Sequence, residues 1–146
     1  MITRETRSWK DINEGDELPV FQRNISRIEV VAMAFAARDF HAVSAVHADH
    51  EIAQAAGLKD VNVNIISAGG LIEKYLTDWS GPKAVLKRLK YNIGLSAYPG
   101  DTLVHTGRVT GKYTEDGQHL VDIEYAVAVA DGPFTWGNAT LAFPAP

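Results

Sequence analysis

The stretch from Arg38 to Ala53, RDFHAVSAVHADHEIA, places one carboxylate, Asp39, and three imidazoles, His41, His47 and His50, within twelve positions. An imidazole changes its charge near neutral pH, and a carboxylate beside it can hold a water molecule, so such a pair can take a proton from one atom and deliver it to another. The same residues also suit a polar connection between two helices, where histidines are solvated. Spacing leaves both readings open. Cysteine chemistry is excluded: the chain has no cysteine, hence no disulfide framework, no thiolate metal site and no thiol nucleophile.

The elements around this stretch determine what it can do. Ser26 stands three residues before Glu29, the spacing of a capping box, and Ile28, Val31 and Phe35 with neighbouring alanines then form one helical stripe, which predicts a helix ending near Arg38 and Asp39. Asp49 is a candidate N-cap for a short second helix over DHEIAQAAG, stopped by Gly57. A third helix, NIISAGGLIEKYLTDW, is apolar over most of its circumference and so is expected to be enclosed. Its interior glycines, Gly69 and Gly70, each cost about 0.5–1 kcal/mol relative to alanine, which close packing of another backbone would explain.

From Ala84 onward the period becomes two. Leu89, Tyr91, Ile93 and Leu95 alternate with Arg88, Lys90 and Asn92, while Val121, Ile123, Tyr125, Val127 and Val129 alternate with Asp122 and Glu124. Asp-Gly pairs mark the hairpin turns. With an earlier strand near ELPVFQRNI, about five strands follow or flank three helices, an α+β arrangement in which a curved antiparallel sheet wraps around one buried helix.

The 146 residues, 46% hydrophobic and 22% charged, suit one globular domain, and no repeat or Pro/Gly/Ser-rich linker divides them. A net charge of -4 argues against a protein that neutralises a nucleic-acid backbone. No apolar run approaches the roughly 20 residues that span a bilayer, and the first residues lack the order of a signal peptide, so the expectation is a soluble, unprocessed, cytoplasmic chain.

Taken in order, SWKDINEGDELP, the helix ending in RDF, VHADHEIAQAAG, AGGLIEKYLTDWSGP, YPGDTLVHTGRV and WGNATLAFP resemble the MaoC-like acyl dehydratases and (R)-specific enoyl-CoA hydratases over nearly the whole chain. The resemblance implies a single hotdog domain over residues 1–146 that dimerises by joining sheets, with itself or with another hotdog subunit. It implies an acyl-CoA substrate and no separate cofactor or metal. In that family an Asp and a His add water to a trans-2-enoyl thioester, or remove it from a (R)-3-hydroxyacyl thioester, and a backbone oxyanion hole receives the carbonyl charge. Carried onto this sequence, the acid and base are Asp39 and His47, and the oxyanion donors are the backbone N–H groups near Asn64 and Ile65.

One departure matters. The family pattern places the histidine five residues after the aspartate, and here that residue is Ser44. Either AVSAV holds about three extra residues and His47 still meets Asp39, a cheap insertion because loop-closure entropy grows with the logarithm of length, or Ser44 stands in the histidine's place. Two functions therefore stand beside the hydratase: a catalytically silent hotdog subunit of a heteromeric hydratase, and a hotdog acyl-CoA thioesterase. His41 and His50 read as a loop contact and an exposed helix residue, and His105 and His119 as strand residues. Lys87, Arg88 and Lys90 suit a solvated basic face or coenzyme A phosphates.

Overall fold

The computed structural model describes residues 5–38 and 42–145, with the side chains of residues 42–44 left aside. Five strands form one antiparallel sheet in the order β1-β3-β4-β5-β2. They are β1 (Glu17–Asn24), β2 (Val85–Ile93), β3 (Thr102–Glu115), β4 (Gln118–Val129) and β5 (Gly132–Phe143), and the helices α1 (Arg27–Ala36), α2 (His50–Ala55) and α3 (Ile65–Ser80) all lie between β1 and β2 in the chain. The β3–β4 hairpin turns at Asp116 and Gly117, both with positive φ (48° and 73°), as a two-residue turn matching the twist of its strands requires. No described helix is long and apolar enough to cross a membrane.

Local chemistry sets the helix starts. At α1 the Ser26 side chain accepts from the Glu29 N–H and Glu29 reaches back to the Ser26 N–H, completing the expected capping box. At α2 Asp49 accepts from the Ile52 N–H at 3.0 Å, and Gly57, at φ +84°, stops the chain beyond the helix. The stripe of Ile28, Val31 and Phe35 identifies α1 as a helix but not its buried side. The helix buries Val30 and Ala34, while Ile28 is 77% and Phe35 56% exposed.

The buried residues Ala68, Ile72, Tyr75, Leu76 and Trp79 of α3 form one core with Val121, Ile123, Tyr125, Val127, Ala139, Leu141 and Phe143 of the sheet. Ile72 and Leu76 are wholly buried, each contributing about 1.5–3 kcal/mol by leaving water. The helix is not enclosed along its length, however: Ile65 and Ile66 in its first turn are more than half exposed (57% and 56%). Gly69 makes room for a side chain rather than a backbone, because a Cβ there would lie 3.0 Å from the Tyr91 hydroxyl. Gly70 faces open space among the described residues.

His105 on β3 sits within this core, 1% exposed, between the rings of Phe21 and Tyr75 with centroids 5.4 Å away on each side. Burial holds its pKa below the ordinary histidine value, since the charged ring would lose its water, while backbone acceptors at Phe21 and Leu103 oppose this weakly. The unfolded chain therefore takes up a proton near pH 6.5 that the folded chain refuses, and stability falls as pH drops below that value, by at most about 1.4 kcal/mol per unit. Urea unfolding at pH 7 and pH 5.5 should show a larger loss in the wild type than in His105→Phe. Equal losses would remove His105 as the cause.

Candidate active site

His47 ends a 3-10 helix, Ala42–His47, that fills the space of the unusual insert. Its exit is fixed by backbone bonds from the Ala48 and Asp49 N–H groups to the Ala45 carbonyl (3.0 and 2.8 Å), and the Asp49 cap then starts α2. The imidazole is half-buried. Its Nδ1 lies 2.9 Å from the Asn62 backbone oxygen and 2.8 Å from Asn62 Oδ1. Both neighbours are acceptors, so Nδ1 carries the hydrogen, and in the neutral ring Nε2 holds the lone pair that a general base needs.

Asn62 belongs to the extended run Val61-Asn62-Val63-Asn64 that leads into α3. Its valines are buried, and the Val63 N–H donates to the Ala97 carbonyl at 3.0 Å, tying the run to the segment after β2. Asn64, 2% exposed, caps α3 by accepting from the Ser67 N–H at 2.7 Å. The Ile65 N–H, first in the helix, has no intrahelical acceptor and stands at the positive end of the helix dipole. Tyr91 closes over this turn, its hydroxyl donating to the Ile65 carbonyl at 3.3 Å. Thus Asn62 links the histidine side of the site to the helix start two residues later.

Asp39 and His41 lie outside the described residues, as does the Ser44 side chain. His50 is an exposed residue of α2, as expected, and is also paired. Its Nδ1 meets Asp60 Oδ1 at 2.9 Å, and Arg27 grips both Asp60 oxygens, which ties α1 to α2 and to the approach to α3. The Arg27 hydrogen bonds hold the Asp60 carboxyl down at about 2, with His50 and the Val61 N–H adding to this. Arg88 and Lys90 pair in register with Thr140 and Asn138, and they alternate with Leu89 and Tyr91, which pack on the core. The basic residues therefore stand on the sheet face away from α3. No group of His, Asp and Glu that could hold a metal occurs among the described residues.

Sequence reasoning missed Asn62 and its partner Ser96. The alternation of VNVN indicates an extended run with its asparagines on one side, but only the fold brings residue 62 to residues 47 and 96.

No protein-family model matches the sequence. Over 81 residues, 56% of its length, the chain is 42% identical to the 3-oxo-4,17-pregnadiene-20-carboxyl-CoA hydratase beta subunit of Mycobacterium tuberculosis, and the match spans 60% of that subunit. Its structure superposes on a chain of the Mycobacterium tuberculosis ChsH1–ChsH2 complex with a TM-score of 0.82 at 32% identity, over 90% of this chain and 98% of that one. The chain belongs to the MaoC-like hydratase and dehydratase family. A MaoC-like dehydratase superposes with a TM-score of 0.80 at 26% identity, over 97% of this chain and 43% of the other. The curved sheet with α3 against it is the hotdog fold of this family, and the resemblance drawn from the ordered motifs holds.

Proposed function

We propose that this MaoC-like chain is a hydro-lyase subunit that adds water to a trans-2-enoyl-CoA, or removes it from a (R)-3-hydroxyacyl-CoA, paired with a second hotdog chain. The observation that carries this reading is the hydrogen-bonded setting of His47, whose Nδ1–H is held by Asn62 beside the start of α3 and whose Nε2 is left as the base. In the hydration direction the water oxygen bonds to the β carbon as its proton passes to His47 Nε2. The C=C electron pair shifts toward the thioester carbonyl, the enolate oxygen receives N–H donors from Asn64 and Ile65, and return of the water's proton from His47 Nε2 to the α carbon restores both the carbonyl and the neutral base. Asp39 holds the water and shares the proton traffic. Preorganised donors of this kind stabilise the developing oxyanion without reorganising. Coenzyme A enters as part of the substrate, and the reaction needs no further cofactor.

Two observations support a paired arrangement. β2 is an edge strand of the sheet, flanked by the exposed Ile93, Leu95, Ile65 and Ile66, a surface that a second sheet joined along β2 would cover. The similar hydratase beta subunit and the ChsH1–ChsH2 chain both come from assemblies of unlike subunits. They favour a second reading, in which this chain supplies structure and the partner supplies the acid and base.

Loss of enoyl absorbance with a short and with a bulky steroid-side-chain enoyl-CoA separates these, using the purified chain alone and the chain co-purified with a hotdog partner. Activity abolished by Asp39→Asn and by His47→Ala in this chain supports the hydratase reading. Activity of the pair that survives both substitutions assigns the chemistry to the partner. Release of free coenzyme A from a saturated acyl-CoA identifies a thioesterase instead.

A further inference from the structure

We infer that Asn62 and Ser96 form a positioning pair that fixes His47 in its Nδ1–H tautomer, a role that rests on the reading of His47 as the base. Histidine in water favours the opposite tautomer, with hydrogen on Nε2, and a base of that form would present no lone pair from Nε2. The site reverses the preference with two acceptors on one residue, the Asn62 backbone oxygen at 2.9 Å and its Oδ1 at 2.8 Å from Nδ1. The side-chain oxygen serves only if the amide is turned the right way, because its NH₂ end would set donor against donor. The Nδ1–H, already claimed by the backbone oxygen, sets which end of the amide faces the ring, and Ser96 Oγ, accepting from Asn62 Nδ2 at 3.2 Å, holds the amide in that place.

The arrangement reaches across the fold. Ser96 follows β2, Asn62 precedes α3 and His47 precedes α2, and the backbone bond from Val63 N–H to the Ala97 carbonyl holds the first two in register. A shift of the segment after β2 would therefore be felt at the base through the amide, with no direct contact between Ser96 and the imidazole. This is how outer partners fix ring orientation and tautomer in other histidine sites.

The test is the ¹⁵N spectrum of labelled protein at neutral pH, with His47 assigned by its loss in His47→Gln. Hydrogen on Nδ1 and a bare Nε2 in the wild type is expected, and an Nε2–H ring or an even mixture overturns the assignment. Asn62→Ala, which leaves only the backbone acceptor, should move the His47 signals part-way toward a mixture, and Ser96→Ala, which frees the amide, should move them in the same direction by less. With enoyl-CoA they should lower kcat by about tenfold at nearly constant KM. Asn62→Asp, which keeps an acceptor toward Nδ1, should restore the Nδ1–H signature. Unchanged His47 signals in both Ser96→Ala and Asn62→Ala overturn the proposal, even if either variant loses activity through misfolding. A wild type that hydrates no enoyl-CoA yet shows the locked tautomer would overturn the proposed reaction and leave the positioning role standing.

Discussion

His47→Gln is expected to lower kcat for enoyl-thioester hydration by about 10²–10⁴-fold, the contribution ordinarily made by a positioned acid or base, with KM and the circular-dichroism spectrum little changed. Glutamine is the informative replacement because its amide can still donate toward Asn62, so the local hydrogen bonding has a substitute while the basic Nε2 does not. Alanine would remove both and mix a structural effect with a chemical one. A His47→Gln enzyme within about threefold of the wild type would be too active for a lost general base and would remove His47 from the chemistry. The expected pattern, kcat lost and KM kept, is that of an interaction realised in the transition state rather than in substrate binding.

Gly137→Ala is expected to be the most destabilising single methyl addition in the sheet, costing about 3 kcal/mol or more and lowering Tm by roughly 6–12 °C. A Cβ at Gly137 would stand 1.9 Å from the Lys90 carbonyl oxygen and 2.9 Å from the Tyr91 Cα, both backbone atoms of the neighbouring strand, so no rotamer can relieve the overlap. β2 would have to leave β5 along the register that pairs Lys90 with Asn138 and Tyr91 with Gly137. That movement also withdraws the Lys90 carbonyl from the Tyr125 hydroxyl and the Tyr91 hydroxyl from the first turn of α3. Gly70→Ala supplies the opposite sign. It is a helical glycine with open space around it among the described residues, and alanine there should gain about 0.5–1 kcal/mol. A melting curve for Gly137→Ala within about 2 °C of the wild type would show that β2 and β5 can separate there at little cost.

The two glycines show where sequence reading reaches its limit. Gly70 drew notice because helix interiors disfavour glycine, yet nothing among the described residues touches it. Gly137 carried no signal, although backbone crosses directly over it. A glycine needed for φ or for a turn advertises itself locally, as Gly57 and Gly117 do, whereas one needed for close approach depends on a strand 46 positions away in the chain.

The site divides in the same way. His47, Asn64 and Ile65 were put forward by the resemblance, and the structure places Asp49 as the cap of α2 two residues after His47 and Asn64 as the cap of α3. Each of those caps lies within one turn of the residue it follows or starts. Asn62 and Ser96 were not legible, because their importance is a relation between segments 15 and 34 residues apart.

By itself the sequence determined the helices and strands, their caps and turns, and the family, since periodicity, capping and ordered motifs depend on near neighbours or on order along the chain. Tertiary structure alone decided which side of α1 is buried, that Ile65 and Ile66 remain exposed, that His50 is bound to Asp60, and that two Asn62 oxygens face His47 Nδ1. Those outcomes depend on which distant surface each residue meets, and hydrogen bonds between side chains and backbone across the fold have no period that a sequence can display.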